Sequence, residues 1–294
     1  PLLDQQLVNA LSLGSVYALF ALGFTLVFGV LGVINLSHGA IFMIGAYAAL
    51  EVVTRLDVGL WGALAAAFFV AGGFGLAIDW LVLRPLRKRN VTHLIPMIAT
   101  IGLAIFFNNA AQGLFGAQNL RFPTELIPHE QLHFWGVQIS VLEVAIVALS
   151  FALMGALLIV MRKTQLGRAL RAIAESPKAA ALLGVNVEGL FFLTSFTAAA
   201  LGGIAGLLIA LYSNAVFPLM GQPMLHKGIA VIILGGMGDI RGALIGGLFL
   251  GFAEVLSVAY IGSSMRDAVA FGLLFIVLLL RPQGMFGKVL ERKA

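Results

Sequence analysis

Three sets of residues in this chain combine polar chemistry with an apolar setting. Asn35-Leu36-Ser37-His38-Gly39 breaks a long apolar stretch with an amide, a hydroxyl and an imidazole. In a membrane, backbone freed at such a break is tolerated only when buried in protein or lining a cavity. These side chains offer hydrogen bonds to a polar cargo, and the following helix start favours an anionic group such as a carboxylate. The same residues also fit a plain cytoplasmic turn with Ser37 as N-cap. A second set, Gly235-Gly236-Met237-Gly238-Asp239, closes a short apolar run. The third is Glu254, alone inside an apolar span: a proton or cation site, or an acid bonded to a neighbouring hydroxyl, which is the preferred reading.

His129-Glu130-Gln131-Leu132-His133 matches H-E-x-x-H. On a helix the two imidazoles would share a face and bind zinc, with Glu130 as general base. The motif follows Pro128 directly, lies in a polar loop and has no third ligand at a recognisable spacing, so a loop is expected instead. No GxxxxGK[ST] phosphate loop and no strand-linked GxGxxG is present, so ATP hydrolysis within this chain is not expected. No cofactor and no metal are expected. With no cysteine, thiolate chemistry is absent.

The elements that must position these residues are membrane spans. The chain has 294 residues, 61% hydrophobic and 11% charged, with mean hydropathy +1.04. At roughly 20 apolar residues per span the ceiling is about nine spans. This composition excludes a cytosolic enzyme, a disordered protein and a β-barrel, whose strands alternate. The net charge of +5 is read as cytoplasmic loop charge, not as a nucleic-acid surface, because no aromatic stacking platform accompanies it.

Apolar runs fall at about 11–33, 40–54, 59–83, 94–113, 138–161, 189–212, 228–237, 242–260 and 266–280. The seventh is short for a full crossing. We therefore expect an all-α polytopic bundle of eight to nine transmembrane helices. Arg84-Pro85-Leu86-Arg87-Lys88-Arg89 reads as a basic loop. Placing it in the cytoplasm puts 14 of the 18 basic residues on that side by alternation alone; Arg55, Arg121, Lys227 and Arg266 are the exceptions. The N-terminus is then periplasmic and the C-terminus cytoplasmic. No basic n-region precedes the first run, so no cleavable signal is expected. The Asn90-Val91-Thr92 sequon falls on the cytoplasmic side. Trp61 and Trp80, about 28 Å apart along a helix, bracket the third span as an interfacial belt would. Small residues at four-residue spacing, as in Gly202-Gly203-Ile204-Ala205-Gly206 and Gly242 to Gly251, predict close helix packing.

A second break, with Pro218, Gly221 and Pro223, ends in Leu225-His226-Lys227-Gly228-Ile229-Ala230 and parallels the first. The long spans before the two breaks lie five apart, so they run in opposite directions. This predicts an inverted repeat, about 5–113 against 189–281, within a single permease domain. Residues 162–188 form the longest charged segment. Leu166, Leu170, Ile173 and Ala174 share a helical face, with Arg168, Arg171 and Glu175 as polar companions. Pro177 opens a second short helix, stopped at Gly184. Such rigid helices suit docking into another protein.

The sequence resembles permease subunits of the branched-chain amino acid ABC transporters, the LivH type. The resembling residues are Ala18-Leu19-Phe20-Ala21-Leu22-Gly23-Phe24-Thr25 with Asn35-Leu36-Ser37-His38-Gly39. Gly167-Arg168-Ala169-Leu170-Arg171-Ala172 through Leu183-Gly184-Val185 also match, as do Gly235-Gly236-Met237-Gly238, Gly242 and Gly246-Gly247. The likeness runs from about residue 5 to 288. It implies a bacterial inner-membrane importer of leucine, isoleucine and valine, built with a second related permease, two cytoplasmic ATPase subunits and a periplasmic substrate-binding protein. On that resemblance Gly167, Arg168, Ala169, Arg171, Ala172, Glu175 and Gly184 belong to the coupling region. Asn35, Ser37, His38, Gly39, Gly235, Gly236 and Gly238 are candidates for the translocation path. Urea and short-chain amide permeases share much of the pattern. An ion-coupled secondary transporter using Glu254 is the alternative outside this class.

Overall fold

A computed structural model describes residues 2–89, 91–92, 94–126, 130–134 and 137–287. Among them, eight helices are long and apolar enough to cross a membrane. They run as α1 (Leu2–Leu31), α2 (His38–Leu56), α3 (Leu60–Ile78) and, after the short α4 (Arg84–Lys88), α5 (Leu94–Phe115). A hairpin of β1 (Gln131–Phe134) and β2 (Val137–Ser140) leads into α6 (Val141–Lys163). The short α7 (Gln165–Glu175) and α8 (Pro177–Leu182) precede α9 (Val187–Ser213), which is followed by α10 (Gly221–Gly235), too short to be one of the eight. α11 (Ile240–Tyr260) and α12 (Arg266–Leu280) complete the bundle. Among the described residues the fold is all-α apart from that hairpin and one isolated bridge, Leu120 to Val216.

Two of the expected helix bounds change most. Arg84–Lys88, read as a loop, is helix: α3 continues through a wide π turn, Asp79–Leu83, into α4. Pro85 cannot donate to the preceding turn, and the wider turn accommodates the missing bond. Arg87 folds back to hold buried Asp79 at 2.6 and 3.1 Å. The seventh run begins earlier than its apolar residues suggest, at Gly221. Its 15 residues rise about 22 Å, short of a hydrocarbon core. The non-helical residues 214–220 lie between it and α9.

Lipid is as apolar as leucine, so association rests on close packing. α1 packs most extensively on α11, and α3 on α9. Both contacts are made of small residues: Gly14 and Ala18 against Gly251 and Gly247, and Gly75 against Ala199. α2 crosses α9 where Gly45 meets Gly203, so close that a Cβ on either would overlap its neighbours. The apolar window of α1 is 83% buried and that of α12 only 6%, which puts α1 at the centre and α12 at the edge. Trp61 and Trp80 are both exposed, as belt residues would be.

Contacts sort the loops into two ends. At one end, Arg84 forms an ion pair with Glu188 at 2.9 Å, and the end of α1 meets Gly238, α6 and α7. That end gathers the basic segments 84–89, 162–178 and Arg241. At the other end, Leu120 pairs with Val216, Gln5 accepts from the Gln138 amide, and the β-hairpin caps α1. Lys288, Arg292 and Lys293 lie outside the described residues, as do Pro1, Asn90, Pro128, His129 and Trp135. Gln131–His133, the last three residues of the H-E-x-x-H match, lie in strand β1 rather than in a helix, and His129 is outside the described residues.

Candidate translocation path and coupling surface

The first break starts where α1 ends and Gly32 takes φ +68. Asn35 organises the turn into α2. Its Oδ1 accepts from the Ser37 amide at 3.1 Å and the Ser37 hydroxyl at 2.6 Å. Ser37 occupies the N-cap position of α2, yet its hydroxyl serves Asn35 instead of capping. The Leu36 amide donates to Thr100 Oγ1 at 3.1 Å, tying the break to α5. His38 opens α2, fully enclosed, with its ring 4.7 Å from Phe20 and 5.5 Å from Phe24. Neither ring nitrogen makes a full hydrogen bond among the described residues. Gly23 and Gly202 flank the ring; a Cβ on Gly202 would lie 2.9 Å from it. Part of the small-residue pattern is therefore a slot for this imidazole. The cavity beside Asn35 and His38, walled by Val27, Ile41, Ser195 and Ala199, holds about 10 Å³, the room of one water.

The second break starts at Asn214, left-handed at φ +46, whose Oδ1 accepts from the Phe122 amide at 3.1 Å. The two breaks meet: Gly39 at the start of α2 lies against Gly221 at the start of α10. Beyond them a cavity of about 430 Å³ reaches toward Gln6, Asn9 and Ser213 at the hairpin end. It contains a charged cluster that sequence spacing alone does not assemble. Glu254 is fully buried. Tyr17 donates to its Oε2 at 2.9 Å, Lys227 to its Oε1 at 2.7 Å, and Arg266 approaches at 3.3 Å. Lys227 also donates to the Tyr17 hydroxyl at 2.8 Å. Glu254 does bond a neighbouring hydroxyl, that of Tyr17, and two cations, Lys227 and Arg266, join it. The usable signal was in the sequence: Lys227 and Arg266 are two of the four basic residues that fall outside the set expected to be cytoplasmic.

Gly235, Gly236 and Gly238 are not brought to Asn35 and His38. They form the tight turn between α10 and α11, with Gly236 at φ +101 and Gly238 at φ +85. Gly235 packs against Gly242, and the chain after α12 bonds the end of α10 through the Met285 and Phe286 amides. Gly238 instead lines a cavity of about 420 Å³ at the basic end, together with Arg162, Arg171, Asp239 and Arg241.

At that end α7 and α8 are fixed by caps. Thr164 Oγ1 accepts from Gly167 at 3.1 Å, and Ser176 Oγ from Ala179 at 3.3 Å. Gly184, at φ +82, closes α8 with the paired bonds of a Schellman stop, Gly184 to Ala181 and Val185 to Ala180. Gly167 sits against the Val160 and Met161 carbonyls, where no Cβ fits. Arg171 donates to the Met161 carbonyl, so it ties α7 to α6. Leu170 and Ile173 are buried and Leu166 half-buried, but Ala174 is exposed, one position beyond the buried face. Arg168 and Glu175 face outward, with Ala169 and Ala172 half-buried. Leu182 and Leu183 stand 89% and 81% exposed at the end of α8.

Residues 6–278 match the family model described as branched-chain amino acid transport system, permease component. The chain belongs to that family. It is 38% identical to the high-affinity branched-chain amino acid transport permease BraD of Pseudomonas aeruginosa, over 97% of this chain and 95% of that protein. It is 37% identical, with the same coverage, to LivH of Escherichia coli strain K12. A probable LivH of Methanocaldococcus jannaschii is 30% identical over 97% of this chain and 86% of its own. No solved structure matches. The permease is thus a multi-pass membrane subunit of a transport system, and its charged segments are to be understood in that role.

Proposed function

We propose that this permease carries leucine, isoleucine and valine inward across the plasma membrane by alternating access, driven by ATPase subunits on its basic face. The observation that carries this is the 37–38% identity to BraD and LivH over 97% of the chain. The basic end is then cytoplasmic, the hairpin end periplasmic, and Leu182–Leu183 with Arg168 the face that meets an ATPase. Apolar side chains this exposed outside the span region suit a partner surface. A second related permease and a periplasmic binding protein complete the transporter.

The two breaks act as hinges bordering the path. In this conformation the space at Asn35, Ser37 and His38 admits no amino acid, so the path opens by moving α1, α2 and α9 apart. The reciprocal contacts α1 on α11 and α9 on α3, and the meeting of Gly39 with Gly221, support reading the chain as an inverted repeat. Complementation tests the function. A strain lacking branched-chain amino acid uptake should grow on limiting leucine when the whole transporter containing this permease is supplied. Restored growth on urea or acetamide, with none on leucine, would contradict the proposal.

A further inference from the structure

We propose that the cavity at the second break is a binding site for a free α-amino acid zwitterion with an apolar side chain, held by Lys227, Glu254 and Arg266. This rests on the import reading above. Acids and bases inside spans are costly and seldom kept for stability alone, since an apolar trio packs as well. Here four elements supply the cluster: Tyr17 from α1, Lys227 from α10, Glu254 from α11 and Arg266 from the start of α12. Lys227 keeps 12% of its side-chain exposure and Arg266 48%, so both cations are reachable from the cavity.

The chemistry matches both ends of a zwitterion. A cargo ammonium takes the Glu254 Oε1 position that Lys227 now occupies. The displaced Lys227 and Arg266 then share the cargo carboxylate, while Tyr17 holds the other oxygen of Glu254. Leu13, Phe42, Met224 and Val255 offer apolar wall to the side chain. The volume of about 430 Å³ is within the range of small-molecule sites. Urea and neutral amides supply neither charge. Occupancy engages α1, α10, α11 and α12 together, so it bears directly on their relative motion.

The permease has no cysteine of its own, so Val258→Cys on the cavity wall gives this subunit a single thiol. In the assembled transporter, maleimide labelling of that thiol should slow severalfold in saturating leucine. Isoamylamine, which lacks the carboxylate, and isocaproate, which lacks the ammonium, should leave the rate unchanged. Lys227→Gln with Glu254→Gln keeps a neutral hydrogen-bonded pair. It should abolish protection and raise the KM for leucine about tenfold, the scale of one charge-assisted hydrogen bond, while the subunits still co-purify. Leucine-independent labelling in a complex that transports leucine would overturn the site alone and leave a structural ion pair. A parent complex that does not transport leucine would overturn the import reading and the site with it.

Discussion

Polar residues at membrane depth each solve a local problem in this permease. Asn35 satisfies the turn that lets α1 stop and α2 begin, and two glycines leave the slot in which His38 lies between two phenylalanines. Gly202→Ala should displace that ring and reduce uptake without preventing insertion, as measured by leucine transport normalised to membrane-embedded protein. Gly206 abuts the Phe42 carbonyl. Gly206→Leu should cost about 1–3 kcal/mol through overpacking, seen as a lower thermal midpoint of the purified complex; an unchanged midpoint would contradict the close crossing. At this scale the sequence was partly legible. Glu254 stood out as a lone acid, but pairing it needed three-dimensional proximity across four helices. No spacing rule connects Tyr17 with Glu254 or either with Lys227. Arg171 was likewise legible as polar, yet its bond to the Met161 carbonyl depends on how α7 folds back on α6.

Elements were legible wherever hydrophobicity was continuous, and misjudged where backbone chemistry overrode composition. Arg84–Lys88 looked like a loop because it is charged and contains Pro85, yet the π turn carries the helix through. α10 starts at Gly221, before its apolar residues begin, because its first turn packs on Gly39. The bounds of α8 were readable, since Pro177 and Gly184 enclose it as expected, whereas the Thr164 cap of α7 emerged only from the structure. Thr164→Ala removes the α7 cap at about 1 kcal/mol and should weaken ATPase retention during purification. Leu182→Ser with Leu183→Ser should have the larger effect on retention and little on thermal stability, since neither side chain packs within this subunit. Equal retention by both variants and the parent would remove α7 and α8 from the docking face.

As a whole molecule the permease is a bundle around α1, with basic residues concentrated at one end and the β-hairpin at the other. Charge placement made its two ends legible from sequence, because alternation of spans is a strong constraint. The short α10 preserves that alternation if residues 214–220 complete its crossing. A cysteine at Asp57 should then react with an impermeant maleimide from outside intact cells, and one at Leu183 only after permeabilisation. The opposite pattern would invert the topology. The proposed inverted repeat was visible in sequence only as two similar breaks; the reciprocal helix contacts that support it emerge from packing that no linear pattern reports. The central claim is ATP-driven import of branched-chain amino acids. It is tested most directly by leucine uptake into proteoliposomes holding this permease, its partner permease and the ATPases, with binding protein supplied on the outer face. Accumulation of leucine against its gradient that requires enclosed ATP is the predicted result. Equal uptake without ATP, or uptake driven by an imposed ion gradient instead, would contradict it.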